Sequence, residues 1–416
     1  MLETSNKTYQ ASNSLNSREV DCCIVGGGPA GVFLSLLLAR QGVSVTLLES
    51  HYDFDRDFRG DNLIPGVMES LEGVGLAERL LKLKHTKIYT QSIQTSSGFV
   101  PLADYSRLKT KYPFLVVIPQ ARFLEFLIDE TRKYPNFRLI LGAQVRELIE
   151  EDGEVRGVRF QSKEGPQEIR SRLVIGADGR FSTVRKIGGF DMIRIPVLMD
   201  VLWFRIPRIP EDEGKMNLSV RVKDGFYIGC WERLDTWQCN LNFAKNKYPE
   251  IRAAGLPAFR KLICDMVPEF GDRVETLKDW SQLFFLSVEM GRVPRWYRPG
   301  VLLLGDAAHI MSSVGGTGIN CAIQDAIVAS NVLGPCLKSG NAKVRDLAEV
   351  QRQRKWPTRI TQMLQKLVEK QIIGRALDSE KKRFRVPFYF RIPFVQEMAT
   401  QVAGFGIRPV HVQTRQ

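Results

Sequence analysis

Three glycines spaced Gly26-x-Gly28-x-x-Gly31 follow directly on the apolar run Cys22-Cys23-Ile24-Val25. That spacing lets main chain, rather than side chain, bind an anion. The first glycine permits a tight turn, the second lets backbone approach a pyrophosphate, and the third lets a helix lie close to a strand. Pro29 and Ala30 fall inside the motif, and Glu49 closes the next apolar run, 43–48. A carboxylate about 20 residues past the glycines is where an acid hydrogen-bonds the ribose hydroxyls of an adenine dinucleotide. The elements that must position these residues are a buried strand, a helix over 29–41 stopped by Gly42, and a second strand.

Two further strand ends carry the same kind of chemistry. Leu173-Val174-Ile175-Gly176 runs into Ala177-Asp178-Gly179, an acid and a bare backbone at the carboxyl end of a buried strand, with a helix opening over 180–185. Val301-Leu302-Leu303-Leu304 runs into Gly305-Asp306-Ala307-Ala308-His309, then Gly315-Gly316-Thr317-Gly318-Ile319-Asn320 and a helix. Asp306 is placed to accept from a sugar or ribityl hydroxyl, and small residues at a helix start turn amides toward an electron-rich ligand. Arg59, in the loop Arg59-Gly60-Asp61-Asn62, stands where a guanidinium meets a pyrophosphate. Asp152-Gly153 is hairpin-turn chemistry alone.

The chain has 416 residues, enough for two or three units with real cores, and its 44% hydrophobic content excludes general disorder. Residues 1–18 read as a flexible polar leader. Residues 19–190 and 285–345 form the α/β nucleotide unit, 191–284 an antiparallel-sheet unit of short alternating strands, with one helix over 253–266, and 346–416 a C-terminal helical segment. Seven scattered cysteines with no CxxC pair fit a reducing, cytoplasmic setting, and no apolar run is long enough to span a membrane. The net charge of +13 comes without any zinc-finger or RNP-like motif, so nucleic acid is not the partner. Four dispersed histidines exclude a histidine-rich metal centre.

The three motifs together resemble those of the class A flavoprotein monooxygenases, the para-hydroxybenzoate hydroxylase-like group, over about 20–412. The resemblance implies a Rossmann-like FAD-binding domain with an inserted antiparallel substrate domain. It implies FAD held by Gly26, Gly28, Pro29, Ala30, Gly31 and Glu49, with Arg59 and Gln120 near the pyrophosphate. Asp178 and Gly179 would serve FAD and the pyridine nucleotide, Asp306 the ribityl chain, and Gly316, Gly318, Ile319 and Asn320 the isoalloxazine. The implied reaction is hydroxylation of an aromatic or other lipophilic molecule by NADH or NADPH and O2 through a flavin C4a-hydroperoxide. The cofactor carries the hard chemistry, so no catalytic side chain is assigned, and His309 reads as a structural hydrogen-bonding group. One position departs from the family: Ser313 stands where a proline is usual, which loosens the loop and adds a hydroxyl.

Other readings stay open on the residues alone. A reductase resembling the prenyl reductases, or a non-catalytic flavin binder, would need the same cofactor motifs. A halogenase would need a Trp-x-Trp-x-Ile-Pro motif, of which 202–207 keeps only Ile206-Pro207. Polyketide, phenol and isoprenoid substrates fit equally. Segment 381–394 interleaves cations with aromatics, as a peripheral membrane contact would. Its two prolines favour instead a strap packed across the substrate unit.

Overall fold

The computed structural model describes residues 19–55, 60–95, 98–212, 218–377, 387 and 392–413. Arg59 and nearly all of 381–391 lie outside them.

The central sheet is parallel because its strands are apolar on both faces and joined by helices. Its order is Val301–Leu303, Gly165–Gly176, Val20–Val25, Val45–Glu49, Phe137–Leu141, with Tyr297–Arg298 antiparallel at one edge. Cys22, Cys23, Ile24, Leu47 and Leu302 are fully buried in it. The register sets Val25 beside Gly176 and Leu48, and Gly176 beside Leu303. All three sequence motifs therefore leave the sheet at one edge. The helix Pro29–Arg40 covers one face together with Gly318–Lys338. The hairpin at Asp152-Gly153 forms as expected, both residues having positive φ (49° and 78°).

The second sheet runs Phe284–Leu286, Met199–Pro207, Thr236–Ala244, Phe226–Arg233, Leu218–Lys223, Thr90–Thr95, Gly98–Asp104. The last two strands come from within 19–190, which the sequence assigned to the nucleotide unit. Thr90–Thr95 instead pairs in parallel with Leu218–Lys223 and buries Ile93 against Val220. The expected helix over 253–266 forms as Gly255–Met266, and a separate helix, Tyr248–Ala253, precedes it; Gly255, at φ +85°, divides the two. Gly255–Met266 packs on one face of the sheet, over Leu202, Phe204, Trp237 and Phe243. The helix expected to open at Arg180 begins later, at Thr183–Ile187, where Ser182 caps it by accepting from the Arg185 amide at 2.9 Å.

Trp237 is fully buried under that helical layer and donates from Nε1 to Asp212 at 2.8 Å. Trp237→Ala should lower the unfolding free energy by about 3–5 kcal/mol in urea denaturation, combining lost apolar burial with a cavity.

Candidate active site

At the shared edge, two of the three fingerprint glycines are demanded by the protein itself. Gly26 has φ +108°, and a Cβ there would stand 2.5 Å from the Ala177 carbonyl oxygen; one on Gly31 would stand 2.0 Å from the Gly26 oxygen. Gly28 differs, since its Cβ would meet nothing nearer than Ala177 O at 4.0 Å. It has ordinary extended backbone and begins the Pro29–Arg40 helix without any side-chain cap. The space over Gly28 is thus open at an uncapped helix N-terminus, which suits a pyrophosphate. Pro29 fills the first helical position, where a missing N–H costs nothing, and Ala30 is buried close to Gly305.

Glu49 ends its strand beside this turn. Its Oε2 accepts from the Gly27 amide at 2.7 Å, and its Oε1 accepts from the His51 amide at 2.9 Å. The carboxylate is therefore fixed in orientation before any ligand arrives. Asp178 is largely occupied by its own chain: the Ser182 hydroxyl donates to Oδ1 and the Val184 amide to Oδ2 at 3.0 Å. Burial pushes its carboxyl up while these bonds pull it down. Gly179, at φ +79°, turns the chain there. Arg185 ties the second motif to the third, donating to the carbonyls of Ala307 at 3.1 Å and Arg180 at 2.6 Å.

The third motif builds the other wall. Gly315 and Gly316 both have positive φ (73° and 60°), and the uncapped helix Gly318–Lys338 begins two residues later. A Cβ on Gly318 would sit 4.0 Å from Asp306 Oδ1. Asn320 braces the loop from both sides, donating to the Gly316 carbonyl at 3.2 Å and accepting from the Ile64 amide at 3.3 Å. Ile319 is buried with its Cγ2 close to Gly60. Gln120 serves Gly60 too, its side-chain amide donating to that carbonyl at 3.1 Å. Asp61 accepts from the Gln120 amide at 3.2 Å and from Arg233 Nε at 2.6 Å, which joins this loop to the second sheet. Burial raises the Asp61 carboxyl against the pull of Arg233.

What sequence reading missed is a stripe of buried polar residues on the helix Val344–Val368: Gln351, Arg354, Thr358, Gln362 and Gln365, continued by Glu369. The spacing of three or four puts all of them on one face. Its only sequence signal was a polar stripe, which ordinarily marks a solvated face. Gln365 accepts from the Ser312 amide at 3.1 Å and donates to Ser312 O, Val314 O and Thr317 Oγ1 at 2.8–2.9 Å. Ser313 sits at φ −66°, the angle proline would impose. The loosening expected of serine is thus countered by the Gln365 clamp. His309 has a hydrogen-bond partner: its Nε2 lies 2.6 Å from Asp325 Oδ2, and Arg354 donates to Asp325 Oδ1 at 2.7 Å. Burial alone would raise the Asp325 carboxyl, but His309 and Arg354 hold it below its usual range. No cluster of potential metal ligands occurs among the described residues.

A parallel sheet whose strand ends carry a dinucleotide-type glycine turn and two small-residue loops has the architecture of a dinucleotide-binding protein. The family model described as FAD binding domain matches residues 19–364, and the chain belongs to the FAD-dependent aromatic monooxygenases of class A. It is 34% identical over 334 residues to 6-methylpretetramide 4-monooxygenase of Streptomyces rimosus, covering 79% of this chain and 77% of that one. PqsL of P. aeruginosa, solved in complex with 2-aminobenzoylacetate, superposes with a TM-score of 0.74 at 20% identity, over 87% of this chain and 98% of that one. OxyS anhydrotetracycline hydroxylase from Streptomyces rimosus gives 0.72 at 22%, over 96% and 78%. The fold is accordingly para-hydroxybenzoate hydroxylase-like, and the protein is an FAD-dependent oxidoreductase that hydroxylates.

The glycine geometry separates two roles. Gly31→Ala should destabilise the protein outright, by about 2 kcal/mol or more, because backbone must move. Gly28→Ala should change the denaturation midpoint little yet weaken FAD binding at least tenfold by flavin fluorescence, its methyl group entering the open cradle. For the buried ion cluster, Asp325→Asn should lose about 3–5 kcal/mol at pH 7 by leaving Arg354 unpaired. Because the folded Asp325 carboxyl lies below its unfolded value, its contribution is complete above about pH 4 and fades as pH falls through the folded value. Urea titrations of both proteins should therefore converge in strong acid.

Proposed function

We propose that the chain is an NAD(P)H-dependent hydroxylase of a multi-ring aromatic of the polyketide type. Gly26, Gly28, Pro29, Ala30, Gly31 and Glu49 hold the ADP part of FAD, and Asp306 with Gly316, Gly318, Ile319 and Asn320 holds its flavin end. Gly179 shapes the turn beneath, Asp178 anchors it, Gln120 braces the wall, and Arg59 completes the pyrophosphate contact. The central sheet is the cofactor unit and the second sheet the substrate unit. The observation that carries this reading is the meeting of the Gly315–Asn320 loop with Gly60–Asn62 at the edge where the open cradle over Gly28 lies. The similarity to 6-methylpretetramide 4-monooxygenase of Streptomyces rimosus supports the substrate class.

When bound, FAD supplies the two-electron redox chemistry and activates O2. The chain's own residues do the rest. Backbone at the uncapped helix starts binds and orients, Gln365 and Asn320 keep the loop from shifting, and the second sheet excludes water from the reacting face. The net reaction consumes NAD(P)H, a proton, O2 and an aromatic C–H, and yields NAD(P)+, water and a phenol. Purified protein should carry FAD and oxidise NADPH or NADH faster with a polycyclic phenol present. Under 18O2, mass spectrometry should find one labelled oxygen in the product. Substrate-stimulated turnover that yields only a reduced product would replace this reading with a reductase.

A further inference from the structure

The second sheet has two faces: one is sealed by the helix Gly255–Met266, and on the other Val368 and Ile372 pack against Val220 and Tyr227. Leu202, Phe204, Trp237 and Cys239 point into the Gly255–Met266 layer. The alternate residues point the other way. Along this second face Arg205 stands opposite Gln238, and Gln238 opposite Trp231, a row crossing three strands. Trp203 occupies the next row on the same face and meets Trp231 edge-to-face, ring centroids 5.5 Å apart. The face turns toward the cofactor loops: Trp231 belongs to the same buried cluster as the central sheet, and Arg233 on its strand holds Asp61, next to Asn62.

Buried polar groups in folded proteins are almost always paired. Trp203 Nε1, Trp231 Nε1 and Gln238 Nε2 on this face are buried donors without a partner among the described residues. Gln238 is oriented by its other end, where Oε1 accepts from Arg205 Nε at 3.2 Å, so its amide nitrogen is the part left over. Asn62 Oδ1, beside Gly316, is likewise buried and unpartnered. Three donors and an arginine gathered on one face of the second sheet form a desolvated, donor-rich surface.

Building on the flavoenzyme reading above, we infer that Trp203, Trp231 and Gln238 are specificity-determining residues, which receive an aromatic substrate by an edge bearing several oxygen acceptors, at least one ionised. The two indole rings take the ring system. The N–H groups take carbonyl, enolate or phenolate oxygens. Arg205 keeps Gln238 aimed and favours the anionic, electron-rich form that an electrophilic oxygen attacks. An apolar ring of the same size leaves all three donors unpaired, so the site rejects it.

The test titrates the full-length, FAD-loaded protein with 2-hydroxy-1,4-naphthoquinone, ionised at neutral pH, and with naphthalene, following tryptophan fluorescence. The wild type should prefer the oxygenated probe at least tenfold. Trp203→Phe, Trp231→Phe and Gln238→Leu each keep most of the packing and remove donors. Each should weaken the oxygenated probe about tenfold and change naphthalene less than twofold. Equal affinity for both probes, binding of neither, or equal loss of both in every variant overturns the inference. Flavin absorbance in the same samples keeps the two claims apart. FAD retained without discrimination sinks this inference alone, and discrimination without retained FAD sinks the flavoenzyme reading alone.

Discussion

Val25, Gly176 and Leu303 stand side by side because three apolar strands pair in parallel, and the rest of the molecule depends on that register. Parallel pairing brings like ends to like ends, so loops separated by more than a hundred residues emerge at one rim. Slipping one strand by a residue would turn its side chains over and carry its loop off the rim. Ala177 sets the tolerance, since its carbonyl lies where any side chain on Gly26 would have to go. The cofactor cradle is in this sense a by-product of sheet geometry, refined by a few positions where only glycine fits.

The second sheet is held to that rim by polar contacts as well as by packing. Arg233 on Asp61 is one junction, and the Leu198 amide on the buried Glu369 carboxylate is another. Such buried charge contacts are weak sources of net stability, but each has a narrow range of workable geometry. They fix the separation between the donor-bearing sheet face and the Gly316 loop. An apolar seam of the same area would hold as firmly while tolerating more sliding.

How much of this was legible in the sequence follows from how local each feature is. The glycine turn, Glu49 and the two later strand ends are written in consecutive residues, because backbone conformation and strand burial make local demands. The strands 90–104 were not legible. Thr90-Gln91-Ser92-Ile93-Gln94-Thr95 offers one large apolar residue, and what makes it a strand is the Leu218–Lys223 edge beside it. Gln120 was placed near the cofactor and does lie at the rim, yet its side chain is spent on the Gly60 carbonyl. The stripe from Gln351 to Glu369 reads as solvated in one dimension and is buried in three. Its partners are main-chain groups and side chains such as Asp325 and Thr317, which no motif announces.

The Gln365 clamp also imposes an order of events on the newborn chain. Ser312 and Gln365 are 53 residues apart, so at about 5–20 residues per second the loop is synthesised roughly 3–10 s before the side chain that restrains it. During that interval the early glycine turn can already fold, while the 312–317 loop lacks the Gln365 restraint. On the site assignment proposed above, the flavin end of the cradle reaches its final shape only once the helix Val344–Val368 docks, and a polypeptide cut ahead of Gln365 lacks that restraint.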